Sequence, residues 1–576
     1  MRTLNRLSYL YIYIVWRNKM RSDEFLVGDR NALGRSLMKG MGYSNDEIRK
    51  PKIGIANSWS TIVPGSYNLR ELGEKVSAGI YAAGGTPIEF GTIGLCDGIG
   101  QGNVGMKYIL PSRDVIANSI ELMVEAHRLD AIVLLGSCDK IVPGMLIAAA
   151  RLKIPAIFLG GGIMLGGAMF DGRASDINSC AEAQGMIAVG KATREEIEIL
   201  EDVCSPTCGS CSFLGTANSM NCIAEALGMS LPGAALVPAV HNDRRRLAYE
   251  TGMKIVELVK KGVTADMVMT KEAILNAVKV CIAIGGSTNV VMHLIALAKE
   301  SGLDIDVIDA FDKLSYTVPT IAKVNPSTYE YNCEDFWRAG GIVRVMENLA
   351  PMLDTTVMTV SGRTLRENID SYIYKFPKND NVIKTLDEPF GFSGAVAIMR
   401  GNLCPDTGVA KPGAIDDSVK HFVGEAICFD CEEDANQAII DGKVKDGHVV
   451  VIRYEGPKGG PGMREMYSAM KYLYGRGLAK STALITDGRF SGSNNGCFIG
   501  HISPEAQEGG PIAIIRNGDS IEIDIDKRTV DLLLPEEEIK ARLAAWKAPE
   551  LKYKSGYLGI YSKLAASAAE GAVLNI

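Results

Sequence analysis

The run Ala131-Ile132-Val133-Leu134-Leu135-Gly136, which ends in Ser137-Cys138-Asp139-Lys140, restricts this chain more than any composition figure does. Five apolar residues without alternation predict a strand buried on both faces, the parallel-sheet kind. Pro143 then opens a helical pattern through Met145 to Ala150, and Ile154 to Leu159 reads as the next strand. In doubly wound sheets ligands bind outside the carboxyl ends of the strands. A thiol, a carboxylate and an amine on three successive residues therefore stand where a site would form. The plain alternative is a loop with one core cysteine and a surface ion pair. It accounts for any one of these residues better than for all three together.

The same alternation extends along the chain from Lys52. Ile53 to Ala56 and Ile88 to Ile93 read as strands, the second leading to Cys96-Asp97-Gly98. Leu69 to Ala83 carries a helical apolar period, and Ser112 is expected to cap a helix from Asp114 to His127. Strands alternating with helices predict an α/β domain with a doubly wound parallel sheet. A cysteine-rich segment, Cys204 to Cys211, precedes a helix over Thr216 to Leu227, and helical patterns run on from Lys271 to Met352. Near residue 370 the texture changes. Val449 to Arg453, Ala483 to Thr486, Ile512 to Ile515 and Ser520 to Leu534 read as strands. In the last of these Ile521, Ile523 and Ile525 alternate with Glu522 and Asp524, and Asp526-Lys527-Arg528 would turn the chain back. The expected organisation is an α/β domain over residues 20–374 and a C-terminal β-barrel-like domain over residues 375–576.

Residues 1–19 are read as a dispensable extension. The apolar run Leu7 to Trp16 is about half the ~20 residues that span a bilayer, so no membrane association is expected. The chain of 576 residues is long enough for two or three domains. Its net charge of -7 and pI of 5.6 argue against nucleic acid as a partner. Thirteen dispersed cysteines, an odd number, argue against a secreted disulfide framework and point to a reducing cytoplasm, with thiols left for metal or catalysis.

Three constellations carry chemistry. Cys204, Cys208 and Cys211 form C-x3-C-x2-C, which by itself fits a radical enzyme holding a four-iron cluster or core cysteines beside a Pro-Thr turn. Cys428 and Cys431 form a CxxC with no second pair, so structural zinc is not expected. Asp97 and Asp139 follow neighbouring strands and can converge on a hard cation such as magnesium, with a third oxygen from Glu465 at the end of a glycine-rich loop. That loop lacks the GK[ST] ending of a phosphate loop. Ser491, in Thr486-Asp487-Gly488-Arg489-Phe490-Ser491-Gly492, lacks the flanking glycine of a nucleophile elbow, so a hydrolase using His501 is weakly supported.

Taken together, Cys96 to Ile99, Leu110-Pro111-Ser112-Arg113, Cys138-Asp139-Lys140, Pro206 to Cys211, Gly285-Gly286-Ser287-Thr288-Asn289, Tyr454 to Glu465 and Thr486 to Gly492 closely resemble the dihydroxy-acid dehydratase/phosphogluconate dehydratase family. The resemblance runs from about Asn31 to the C-terminus. It implies an active site between an α/β domain and a β-barrel, and a homo-oligomer, a dimer or dimer of dimers. It also implies that Cys138 and Cys211 bind an iron–sulfur cluster of two or four irons. Asp97, Asp139 and Glu465 would bind magnesium, joined by Lys140 as a carbamate, with Ser491 as the base. Some members carry a further cluster cysteine where this chain has Gly65, which leaves the third ligand open between Cys96 and Cys208.

The chemistry implied is loss of water from a 2,3-dihydroxy acid. A proton leaves carbon 2, hydroxide leaves carbon 3 with Lewis-acid help, and the enol becomes a 2-oxo acid. Ser491 would need to act as an alkoxide beside magnesium, because a serine is otherwise a weak base. Two small-molecule substrate classes fit. Met466 and the Glu570-Gly571-Ala572 tail resemble enzymes acting on branched-chain acids of the 2,3-dihydroxyisovalerate type, in valine and isoleucine biosynthesis, and this is the leading expectation. Gly160 to Met164 and Ser493 to Gly496 depart from that pattern, and Asn494 and Asn495 could bind the extra hydroxyls of a sugar acid such as gluconate. Outside the family, a radical enzyme or a non-catalytic iron–sulfur sensor are the alternatives.

Overall fold

A computed structural model describes residues 20–575 apart from residues 171, 189, 191, 393 and 491–495. The N-terminal half is built on four parallel strands, β1 (Lys52–Asn57), β2 (Thr86–Gly91), β3 (Ala131–Gly136) and β4 (Ala156–Gly160), in the order β2-β1-β3-β4. Every residue of β1, β3 and β4 is buried, which is why their sequences read as continuous apolar runs. From β1 the chain moves outward to β2 and then to the other side through β3 and β4, so the strands that lead to Asp97 and Asp139 are not neighbours, against expectation, but flank β1. The order thus reverses between β1 and β3, and their carboxyl ends open a crevice there.

The helix Leu69–Ala83, at its expected bounds, ends at Gly84 with a φ of 91°. It packs closely against the helix Asn242–Lys261. A Cβ on Gly252 would collide with the Val76 carbonyl, and one on Gly79 with that of Tyr249. One expectation fails at the next helix, which runs Pro111–Ala126. Ser112 does not cap it: its hydroxyl donates back to the Ile109 carbonyl at 2.6 Å. Pro111 at the first helical position starts the helix instead, since its missing N–H would have no partner there anyway. After β4 come a small ribbon, β5 (Met169–Phe170) with β6 (Arg173–Ala174), and a largely helical segment down to Ser371.

The second half holds eight strands: β7 (Ala397–Met399), β8 (Thr407–Ala410), β9 (His421–Phe429), β10 (His448–Ile452), β11 (Ala483–Thr486), β12 (Cys497–Ser503), β13 (Ser520–Asp524) and β14 (Thr529–Leu532). Their order is β14-β13-β9-β10-β11-β12-β8-β7, with β9 to β12 parallel and the outer pairs antiparallel. The sheet nearly closes on itself. Arg400, just beyond β7, donates to the Arg528 carbonyl at 2.8 Å and accepts from the Val530 N–H at 2.7 Å. The barrel interior takes Val449, Val451, Ile485, Ile499, Ile521 and Ile523. Val450, Ile452, Leu484 and Phe498 point the other way, into a second core with the helices Glu432–Ile440 and Tyr467–Gly475. The segment Ile512 to Ile515 is not a strand. Residues Pro511–Ile514 form a 3-10 turn, because Pro511 sets the φ of a helical first position and brings no N–H to a ladder.

The tail leaves the barrel and returns to the first half. Ala566 and Val573 join the α/β core. Buried Arg113 donates to the carbonyls of Gly571 at 2.9 Å and Ala572 at 2.8 Å. Leu110, Met292, Met463, Ala568 and Ala572 form a small apolar cluster that draws on both halves. No helix among the described residues is long and apolar enough to cross a membrane.

Candidate functional site

The loops at the carboxyl edge of the four-stranded sheet bring Cys96, Asp97, Cys138, Asp139 and Cys211 onto one cavity of about 470 Å³, together with Glu465 from the second half. Each arrives by a local device. Cys138 follows β3 with a φ of 87°, a conformation that costs a side-chain-bearing residue about 1–3 kcal/mol and turns the chain abruptly at the strand end. Cys96 precedes the short helix Asp97–Gly100. Cys211 is carried by a segment stitched beside the continuation of β4: Ser210 N–H donates to Gly162 O at 2.9 Å, and Met164 N–H to Ser210 O at 2.6 Å. Gly209, φ 131°, lies so close to Ile163 that a Cβ would sit 2.5 Å from its carbonyl carbon.

Behind the cavity wall lies a buried knot of charge. The Lys140 ammonium donates to Asp97 and lies 3.5 Å from Glu465 and 3.9 Å from Asp139. Glu465 also accepts from Arg489 at 2.6 Å, Gln101 at 2.7 Å and Asn289 at 2.9 Å. Backbone pairing of Arg464 and Met466 with Arg489 sets the Glu465 strand against the loop after β11. Burial pushes Glu465 up, but Lys140, Arg489 and these donors outweigh it and hold the carboxyl below its ordinary range. Asp97 goes the other way, to about 7, through burial and then the Asp139 carboxylate, with Lys140 opposing. Burial also raises Asp139, again against Lys140.

These side chains fit a hard divalent cation. Three carboxylates face two cationic groups, Lys140 and Arg489, so the buried set carries an excess of negative charge. Asp97 Oδ1 is buried with no hydrogen-bond partner among the described residues. Ligand atoms of Asp97, Cys138 and Asp139 lie within 4.8 Å of one another, and no other such group of three occurs among the described residues. Oxygen donors with excess charge suit magnesium, and thiols across the same cavity suit an iron–sulfur group. The Cys138 thiol lies 3.8 Å from Asp139 Oδ1.

Other expected groupings separate. The three cysteines of C-x3-C-x2-C go to three places, which removes the basis of the radical-enzyme reading. Cys204 faces Cys180 with sulfurs 3.3 Å apart, Cys208 lines a distinct surface depression beside Trp59 and Arg70, and Cys211 alone reaches the cavity. Cys428 bonds to the Ile515 carbonyl while Cys431 precedes the helix Glu432–Ile440. His501 is buried, and burial followed by Arg489 pushes its imidazole down to about 3, so it is a very weak base. Ser491, Asn494 and Asn495 lie outside the described residues. The residue before Ser491 is held firmly: Phe490 stacks on Phe498 with centroids 5.5 Å apart, and its carbonyl accepts from Asn289 at 3.4 Å.

Sequence reasoning missed Gln101, Asn289 and Arg489, the donors around Glu465. All three lie in or beside stretches already singled out, Cys96 to Ile99, Gly285 to Asn289 and Thr486 to Gly492. A buried cation was required wherever several carboxylates converge, and Arg489 meets that requirement.

Fold and site define an enzyme in two halves, with buried carboxylates and thiols facing a shared cavity. Residues 50–368 match the family described as dihydroxy-acid/6-phosphogluconate dehydratase N-terminal, and residues 381–572 match its C-terminal counterpart. A dihydroxy-acid dehydratase of Caldanaerobacter subterraneus subsp. tengcongensis is 50% identical over 557 residues, 96% of this chain and 99% of that protein. Dihydroxy-acid dehydratases of Ruminiclostridium cellulolyticum and Pyrococcus furiosus are each 48% identical over 557 residues, 96% of this chain and 100% of those proteins. The chain belongs to the dihydroxy-acid/6-phosphogluconate dehydratase family, a family of hydro-lyases.

Proposed function

We propose that this enzyme removes water from a 2,3-dihydroxy acid of the 2,3-dihydroxyisovalerate type and yields the 2-oxo acid, a step of valine and isoleucine biosynthesis. The observation that carries the reading is the convergence of Cys138, Cys211, Asp97, Asp139 and Glu465 on one cavity. The branched-chain substrate is supported by the names of relatives 48–50% identical over nearly the whole chain. It is supported too by an apolar wall of Ile99, Met164, Ile177 and Phe213 in that cavity, suited to a methyl-bearing tail.

In this reading Cys138 and Cys211 hold an iron–sulfur cluster, and Asp97, Asp139 and Glu465 hold magnesium with Lys140 as a carbamate. Bound there, these groups supply Lewis acidity toward the departing hydroxyl and the substrate carboxylate. Carbamylation makes Lys140 a further oxygen donor in place of an ammonium, and the negative charge it adds to the three carboxylates is balanced by the divalent cation. Asn289 and Arg489 keep Glu465 aimed, and Ser491 removes the proton from carbon 2. Residues 20–374 then supply the cluster side and most of the cation ligands, residues 375–576 supply Glu465 and the base, and residues 1–19 take no part. The enzyme works as a homo-oligomer in a reducing cytoplasm, where its thiols stay free.

The test is kcat/KM for 2,3-dihydroxyisovalerate beside gluconate, on oxygen-free protein and on its Asn494→Ala and Asn495→Ala variants. A preference for dihydroxyisovalerate that survives both substitutions is expected. A clear preference for gluconate that either substitution erases would establish the sugar-acid reading, which the family's 6-phosphogluconate members keep in view.

A further inference from the structure

Gly65 stands in the loop after β1, at the reversal of strand order, and lines the same cavity as the two cysteines that the proposed function assigns to a cluster. A Cβ built on Gly65 would meet Ser137 Cβ and Oγ at 3.4 Å and the Ser210 N–H nitrogen at 3.5 Å. Ser137 and Ser210 immediately precede Cys138 and Cys211. This corner of the cavity therefore has room for a side chain beside both ligands, yet in this chain it offers none. A cluster held by Cys138 and Cys211 alone would have two protein thiolates, which leaves it open to loss and to solvent.

We infer that Cys96 is the third protein ligand of the cluster, supplied from the loop after β2 in place of a side chain at position 65. Cys96 lines the same cavity as Cys138 and Cys211. The thiols of Cys96 and Cys138 arrive on the loops after β2 and β3, and that of Cys211 on the separate segment held beside the continuation of β4. The two rivals are engaged elsewhere. Cys208 lines the surface depression beside Trp59. Cys180 reaches the cavity edge, but its sulfur is 3.3 Å from that of Cys204, in a satellite apolar cluster with Ala183, Ile197 and Leu200. The assignment rests on the cluster reading of the proposed function, and it adds that positions 65 and 96 are alternative corners of one site.

The experiment measures iron and acid-labile sulfide per folded chain, with the visible absorbance, on the full chain purified without oxygen. Cys96→Ala is expected to lose at least about tenfold in bound iron, as a lost ligand must cost no less than a lost supporting contact. Cys180→Ser and Cys208→Ser are expected to keep the iron of the parent. Adding Gly65→Cys to Cys96→Ala is expected to restore it. Circular dichroism of the iron-free proteins checks folding, and if Cys96→Ala does not fold, Cys96→Ser, which keeps the side-chain size, decides by the same measure. Full iron in the folded Cys96 variant, with loss in Cys138→Ser, would overturn this inference and leave the proposed function intact. Loss in Cys208→Ser or Cys180→Ser instead would move the third ligand there. A double variant that stays iron-free would overturn the equivalence of positions 65 and 96. A parent chain that takes up no cluster at all would instead refute the functional reading beneath it.

Discussion

The thiol wall and the carboxylate corner of the cavity are built in different ways. Cys96, Cys138 and Cys211 come from loops of one sheet, so one half of the molecule can assemble them. The carboxylate corner needs both halves. Asp97, Asp139 and Lys140 belong to the α/β half, but Glu465 comes from the second half and is gripped from across the junction by Gln101, Asn289 and Lys140. The difference teaches that the carboxylate corner doubles as a fastening between the halves, whereas the thiols do not. Within the second half a further contrast shows what the fastening does. Glu465 and Glu505 are both fully buried glutamates. Glu465 has two cationic partners and is held below its ordinary range. Glu505 accepts from the Lys458 and Gly459 N–H groups, both at 2.8 Å, and burial followed by the Asp487 carboxylate pushes it up to about 8.

The largest effect expected on the carboxylate side is catalytic. Ser491→Ala should keep its iron and magnesium content and lose the ~10²–10⁴ in kcat that removal of a general base costs. Near-normal turnover in single-turnover assays would assign the proton to another group. Glu465→Gln tests the fastening itself. It removes the carboxylate partner of buried Arg489, while Lys140 keeps Asp97, and breaking a buried pair costs about 3–5 kcal/mol. Urea unfolding of the metal-free protein should show this loss; an unchanged midpoint would mean that the halves dock without it. Cys138→Ser is the matching variant on the thiol side. It should abolish bound iron yet shift metal-free stability by no more than about 1 kcal/mol, and a loss as large as that of Glu465→Gln would erase the distinction drawn above.

Two smaller effects sharpen it. Glu505 keeps its proton in the native state up to about pH 8, whereas the unfolded chain loses it near its ordinary value of 4.5. The native state therefore binds the extra proton between those values, and stability falls as pH rises across that window. Glu505→Gln should flatten this slope in pH-dependent unfolding, and an unaltered slope would place its source elsewhere. Cys431→Ser, away from the cavity, should leave iron content unchanged and stability within about 0.5 kcal/mol. A loss of iron in that variant would show that thiols outside the cavity matter.

Much of this was legible in the residues because local chemistry is strong at those points. An unbroken apolar run followed by Cys138-Asp139-Lys140 predicts a buried parallel strand and a site at its end, and β3 has that form. The alternation of Ile521 and Ile523 with Glu522 predicts a half-exposed antiparallel strand, and β13 pairs with β14 in that way. Ile512 to Ile515 reads as a strand because a short apolar run has no period to separate a strand from a buried turn, and Pro511 decides for the turn. Ser112 misled in the same manner: a residue suited to capping lay one position inside a helix already started by proline.

Residue identity along the chain determined most of the elements, that carboxylates and thiols follow β2 and β3, and which family the chain resembles. Those properties depend on neighbours a few positions apart, and sequence carries them directly. Which of the cysteines share a cavity depended on distances between loops far apart in the chain. Cys204, Cys208 and Cys211 look like one motif and part company, while Cys96, Cys138 and Cys211 look unrelated and line one wall. The partners of Glu465 were hidden for the same reason. Lys140, Asn289 and Arg489 meet it because two separately cored halves dock, and burying a carboxylate at that junction is tolerable where cations and N–H donors from both sides surround it.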